Sequence, residues 1–197
     1  MKWFSKINRG AILTAAVLLC VVIYLVVLSI TQKASVPELK KICEAYIELD
    51  VKYSMLPSEQ RKSTPDITDD QLDEYINEME NELSVFYPSG EQYSEFALNA
   101  KSALLKKQAA GQSVTTEYAK EIIRYQNFVF KDDTVTVTLL TETSIERAGQ
   151  SEKDIYAAGK MEMTDSIILM KFNGQWKIIH AEINQPGDNY SEYPYYK

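Results

Sequence analysis

The chain has 197 residues, 28 acidic against 21 basic side chains, a formal charge of −7, one histidine and two cysteines. All 28 acids and 18 of the 21 bases lie beyond residue 30, a surplus of ten acids, which argues against nucleic acid and anionic lipid headgroups as partners of that part. No G-x-S-x-G, Walker loop, H-E-x-x-H, Cys-His metal spacing or glycine-rich phosphate cradle occurs, so the enzyme classes those motifs define are excluded, and no cofactor or metal is expected.

Lys2, Lys6 and Arg9 open the chain with no acid among them, and Trp3 and Phe4 suit a membrane interface. Residues 11–30, from Ala11 to Ile30, then run without charge, proline or glycine. As a helix they cover ~30 Å, the thickness of a bilayer's hydrocarbon core, and a helix satisfies its own backbone there. The positive stub predicts a cytoplasmic N-terminus and an extracytoplasmic remainder. The span is longer than a signal-peptide core, and the sequence after it offers a poor cleavage site, so the anchor is expected to be kept. Lipidation at Cys20 is excluded by its mid-span position and by Leu19 before it. The expected division is a stub at 1–10, the span at 11–30, a stalk at 31–35, a domain at 36–185 and a tail at 186–197. The roughly 160 residues outside suffice for one core.

Val36 starts the first domain helix, with Pro37 in its first turn and an apolar stripe at Leu39, Ile42, Cys43, Tyr46, Leu49 and Tyr53. Cys43 on that stripe reads as a small buried side chain, and the only other cysteine lies in the span, so no disulfide closes the domain. Residues 56–66 are polar and carry two prolines, a surface link. Thr68 with Gln71 forms a capping box for the second helix, Ile67 and Leu72 a staple, and Asp69 and Asp70 complement the dipole. Leu72, Tyr75, Ile76, Met79, Leu83 and Phe86 form its stripe. Ser89 with Gln92 predicts the start of a third helix ending before Gly111, with Tyr93, Phe96, Ala100, Ala103 and Leu104 on its packed face.

From residue 118 the period becomes two, predicting strands at 118–130, 134–146, 155–172 and 175–184. Asp132-Asp133 and Asn173-Gly174 are the hairpin turns, and Gly159 predicts a bulge. The second turn pairs Lys171 with Trp176, Leu169 with Ile178 and Ile167 with His180. Both faces of this sheet carry apolar residues, so each requires a cover: helices on one, and a subunit, the tail or a partner protein on the other.

Three amphipathic helices before a long bent antiparallel sheet, closing on the hairpin MKFNGQWKIIHAEI, resemble the nuclear transport factor two-like (SnoaL-like, cystatin-like) cone fold. The resemblance implies an α+β domain with a pocket between helices and sheet, lined here by Trp176, Ile178, His180, Tyr46 and Phe96. Single-span members act as assembly subunits of bacterial secretion and conjugation machines; soluble members include isomerases and cyclases. No catalytic residue carries over by position. The expectation is a non-enzymatic, single-pass accessory subunit of an envelope complex for transport, secretion or conjugation. It would contact the bilayer through 11–30, an envelope protein or a second copy, and no nucleic acid. A ligand-binding or sensing module is the alternative, and a cyclase-type or isomerase-type enzyme the third. The tail, with Tyr190, Tyr193, Tyr195 and Tyr196, reads as a disordered end or a strip lying on the sheet, with a recognition surface as the alternative.

Overall fold

A computed structural model describes residues 9–148 and 160–186. Among these the chain is α+β, with three helices and one four-stranded antiparallel sheet. Lys2 and Lys6, the expected bulge at Gly159 and the tyrosine tail lie outside the described residues. The chain divides into two units, residues 1–40 and 41–197.

The described residues of the first unit are helical. Helix α1 (Arg9–Lys52) exposes its apolar side chains at Ile12, Leu18, Val22, Tyr24, Val26 and Ile30. Among the described residues it is the one helix long and apolar enough to cross a membrane. The expected stalk at 31–35 and restart at Val36 are corrected: α1 runs through both, with Pro37 inside it. Residues 31–35 contain no helix breaker, and Pro37 removes only its own N–H, a local cost of about 3 kcal/mol that a long helix tolerates. Thr31 donates to the Val27 carbonyl at 2.9 Å and Ser35 to that of Thr31 at 3.1 Å, so the hydroxyls follow the helix instead of capping a new one.

In the second unit the last turns of α1 bury Cys43, Tyr46, Ile47 and Asp50, and the turn after α1 buries Tyr53 and Ser54, while Glu44 and Glu48 are exposed. Helix α2 (Asp69–Ser84) begins as its sequence requires. The Gln71 N–H donates to Thr68 Oγ1 and the Thr68 N–H to Gln71 Oε1, a complete capping box. Its buried stripe is Leu72, Ile76, Met79 and Leu83. The Tyr75 hydroxyl reaches the carbonyls of Lys52 and Met55, so α2 satisfies the open end of α1. Leu56, expected on the surface link, is fully buried.

Helix α3 (Glu91–Ala109) departs from expectation twice. Its N-cap is Gly90 at φ +139, not Ser89, because the turn requires a backbone angle that glycine alone adopts readily. Its inner face is also rotated from the one expected: Leu105 and Gln108 are buried and Lys101 is half-buried, whereas Phe96, Ala100 and Ala103 are exposed. Two polar residues occupy inner positions and hid the true stripe from an apolar periodicity.

The sheet is a meander of β1 (Thr115–Lys131), β2 (Thr134–Arg147), β3 (Met161–Phe172) and β4 (Gln175–Glu182), in that order. Strand β1 starts three residues earlier than expected, where the Thr115 N–H is held by Gln108 Oε1 at 3.1 Å. Asn173 and Gly174 turn at φ +49 and +84, the left-handed angles of a type I′ hairpin. Alternation along β2 buries Val135, Val137, Leu139, Thr141, Thr143 and Ile145 on one face. Lys171 pairs with Trp176 and Leu169 with Ile178 as expected, but Ile167 pairs with Ala181 and Ile168 with His180. The register shifts at Ile168/Leu169, so one extra residue in β4, Ile179, moves everything after it by one position.

Candidate functional site

The five residues expected to line a pocket are not brought together. Trp176 and Ile178 are buried on the inner sheet face, Trp176 edge-on to Phe130 at 6.5 Å between ring centroids. Tyr46 is buried on α1 against Phe86 and Tyr87. Phe96 is 59% exposed on the outer side of α3. The register shift turns His180 onto the open sheet face beside Ile168, where it is exposed. The pocket assignment is therefore corrected at His180 and Phe96. The surface hollows among the described residues include one bordered by Glu80, Glu95 and Leu98 and another by Asp69, Asp73 and Lys106, and neither of these includes any of the five.

What the fold does bring together is a polar interior at the end of the sheet where α1 finishes. Asp50 lies on the inner side of α1 and Ser54 in the turn just after it, and the Ser54 hydroxyl donates to the Asp50 carbonyl at 2.7 Å. Lys101 of α3 places its Nζ 2.8 Å from Asp50 Oδ1 and donates to Ser54 Oγ at 2.6 Å. Two turns on, Gln108 donates to the Ser54 carbonyl at 2.8 Å, and Gln185 donates to Ser54 Oγ at 3.1 Å. Helices α1 and α3 and the segment after β4 therefore meet at Ser54.

A second knot lies on the sheet. Lys120 and Asp165 have side chains with 0% exposure and stand 2.7 Å apart. Asp165 Oδ2 also accepts from Thr141 at 2.7 Å, and Oδ1 accepts the Asn184 N–H at 2.7 Å. Lys120 donates to the Asn184 carbonyl at 2.8 Å. Each charge thus has an opposite charge and neutral partners, the condition for keeping ions away from water. The knot holds both backbone groups of Asn184, and so anchors the chain as it leaves β4.

The remaining reactive types are muted. Burial, with Glu44 adding to it, pushes the Cys43 thiol up from 9.0 to about 12, so it is a neutral thiol at physiological pH. The Tyr46 and Tyr87 hydroxyls meet at 2.8 Å. Burial raises both phenols above the ordinary tyrosine range, Tyr87 to about 12. Among the described residues no group of three His, Cys, Asp or Glu side chains converges as metal ligands do. Asp50 Oδ2 and Thr143 Oγ1 are buried with no protein partner among the described residues. The hydrogen bonds of this polar interior run to the chain's own side chains and backbone.

Asp50, Ser54, Lys101, Gln108, Lys120, Thr141 and Asp165 were all missed as a group by reading the sequence for motifs. A signal existed for two of them. Lys120 falls at the inward parity of Tyr118 and Ile122, and Asp165 at that of Ile167 and Leu169. Opposite charges at inward positions of two strands of one sheet ask for each other. No protein-family model, curated protein or solved structure matches this chain.

Proposed function

We propose that this protein is a single-span membrane protein whose α+β domain acts outside the cytoplasm as an interaction or accessory subunit of a bacterial envelope complex, of the transport, secretion or conjugation kind. The observation that carries the reading is α1, whose exposed apolar stretch has the length of a bilayer and whose helix continues without a break into the domain. The polar interior supports it, because its ion pairs are engaged with one another and with the chain's own backbone. Likeness to the nuclear transport factor two-like fold belongs to the same proposal, supported by three helices preceding a four-stranded meander. Capture of the full chain from detergent-solubilised membranes tests it. A reproducible envelope protein recovered with the chain supports the reading, and recovery of this chain with no other protein at every salt concentration contradicts it.

A ligand-binding or sensing role is the second reading, favoured by Asp50 Oδ2 and Thr143 Oγ1, two buried oxygens without protein partners among the described residues. It requires an enclosed cavity beside them, which a ligand-bound structure would reveal.

A further inference from the structure

Every side chain of α1 from Ile12 to Ile30 is exposed, so the stretch that fits a bilayer has no protein cover among the described residues. Lipid suits its aliphatic side chains but not Tyr24, whose ring is 66% exposed and whose hydroxyl has no hydrogen-bond partner among the described residues. Tyr24 stands six residues before Ile30, which is ~9 Å inside the end of the span and too deep for the interfacial belt where tyrosines gather. Helical side chains lean toward the N-terminus, which carries this hydroxyl toward the middle of the bilayer and away from headgroups. A threonine in a helix returns its hydrogen to the carbonyl one turn back, as Thr31 does to Val27 at 2.9 Å, but a phenol stands too far from its own backbone for that. In hydrocarbon the partner Tyr24 lacks must come from a second helix.

Tyr24 also lies on a seam. Leu13, Val17, Cys20, Tyr24, Val27 and Thr31 recur at alternating steps of four and three, the spacing that keeps one face of a helix against a parallel neighbour. All six are exposed. Cys20 is one turn N-terminal to Tyr24, on the side toward which the ring leans, and its small side chain leaves room for a phenol. The opposite face carries Leu18, Val22 and Leu25, aliphatic side chains for which lipid is as good a neighbour as protein.

We infer that this seam pairs, in parallel, with the same seam of a second copy, about a two-fold axis along the membrane normal. Copies of one chain enter a bilayer the same way round, so this axis is open to them, and it sets each seam residue opposite itself. Tyr24 of one copy then faces the partner's Tyr24. A phenol both donates and accepts, so one hydroxyl donates to the other, and the second donates to a Cys20 sulfur, a weak acceptor on the same seam. A helix of a different protein would have to bring its own acceptor to this depth, whereas a second copy carries one there already. The seam's repeat gives the left-handed crossing of most membrane helix pairs. Confinement to one bilayer raises the effective concentration, so a contact of modest strength forms there.

The pairing rests on reading residues 11–30 as a membrane span, and one set of membranes separates the two. Iodine, an oxidant that enters the bilayer, is added to native membranes bearing the full chain; the membranes are washed with alkaline carbonate, and disulfide-linked dimer is read on a non-reducing gel. The expected result is a dimer band from the native Cys20 that disappears in Cys20→Ser. In that background Val27→Cys and Thr31→Cys on the seam restore the band, and Val22→Cys and Ser29→Cys on the other side do not. Tyr24→Phe lowers the native band about threefold or more, the effect of one interhelical hydrogen bond in lipid. Retention in the washed membranes with no dimer, with equal bands on and off the seam, with a band unchanged by Tyr24→Phe, or with Cys20 linked to a different protein alone would overturn the pairing and leave the span standing. A chain removed by the wash would overturn both.

Discussion

Lys120 and Asp165 show how far a single pair of residues decides the state of this interior. Both side chains are fully buried, so the loss of one leaves the other as an ion without its counter-ion. Lys120→Met should therefore destabilise the protein by about 3–5 kcal/mol, and Lys120→Met with Asp165→Leu should regain much of that, because an apolar pair of similar volume carries no desolvation penalty. Urea unfolding of the two variants checks the pair. Tyr87 and Cys43 set an alkaline limit. Their protons are held more tightly in the folded protein, so the unfolded chain ionises first; stability is intact below pH 9 and falls as the pH climbs from 9.0 and 10.0, the ordinary thiol and phenol values, through about 12. Melting temperatures measured from pH 7 to 11 should be level up to pH 9 and decline beyond it. At this scale the sequence was legible wherever residue type and position agreed, as for buried Cys43, and illegible where a long-range partner decided. Nothing near Lys101 or Gln108 in the chain announces that Asp50 and Ser54, roughly fifty residues away, make those two positions inner ones.

Among the elements, α2 and the β3–β4 hairpin were the most readable, because their signals are local. The Thr68 capping box satisfies two helix-end donors with groups three residues apart, and Thr68→Ala should cost about 1 kcal/mol in thermal unfolding. Gly174 sits at φ +84 with open space around it, so Gly174→Val should cost about 1–2 kcal/mol from backbone strain alone and not from a clash. The same local logic failed at Pro37, where one lost hydrogen bond is minor for a helix that runs from Arg9 to Lys52. It failed again at His180. The hairpin turn sets the register for the first pairs, but one extra residue at Ile179 reverses the faces beyond it, and the only histidine leaves the interior for the open side.

For the whole molecule, charge and hydropathy carried most of what could be read. One uncharged stretch of bilayer length stands beside a domain with a surplus of acids, and the helix carrying that stretch enters the domain as its first packed element. The α+β class followed from the change of period along the chain. The central proposal is that α1 holds the domain outside the cytoplasm. Protease added to intact protoplasts, followed by detection of a C-terminal epitope, tests it most directly. The account predicts loss of the epitope without lysis, with a cytoplasmic marker untouched in the same sample. An epitope that survives until the protoplasts are broken would contradict it.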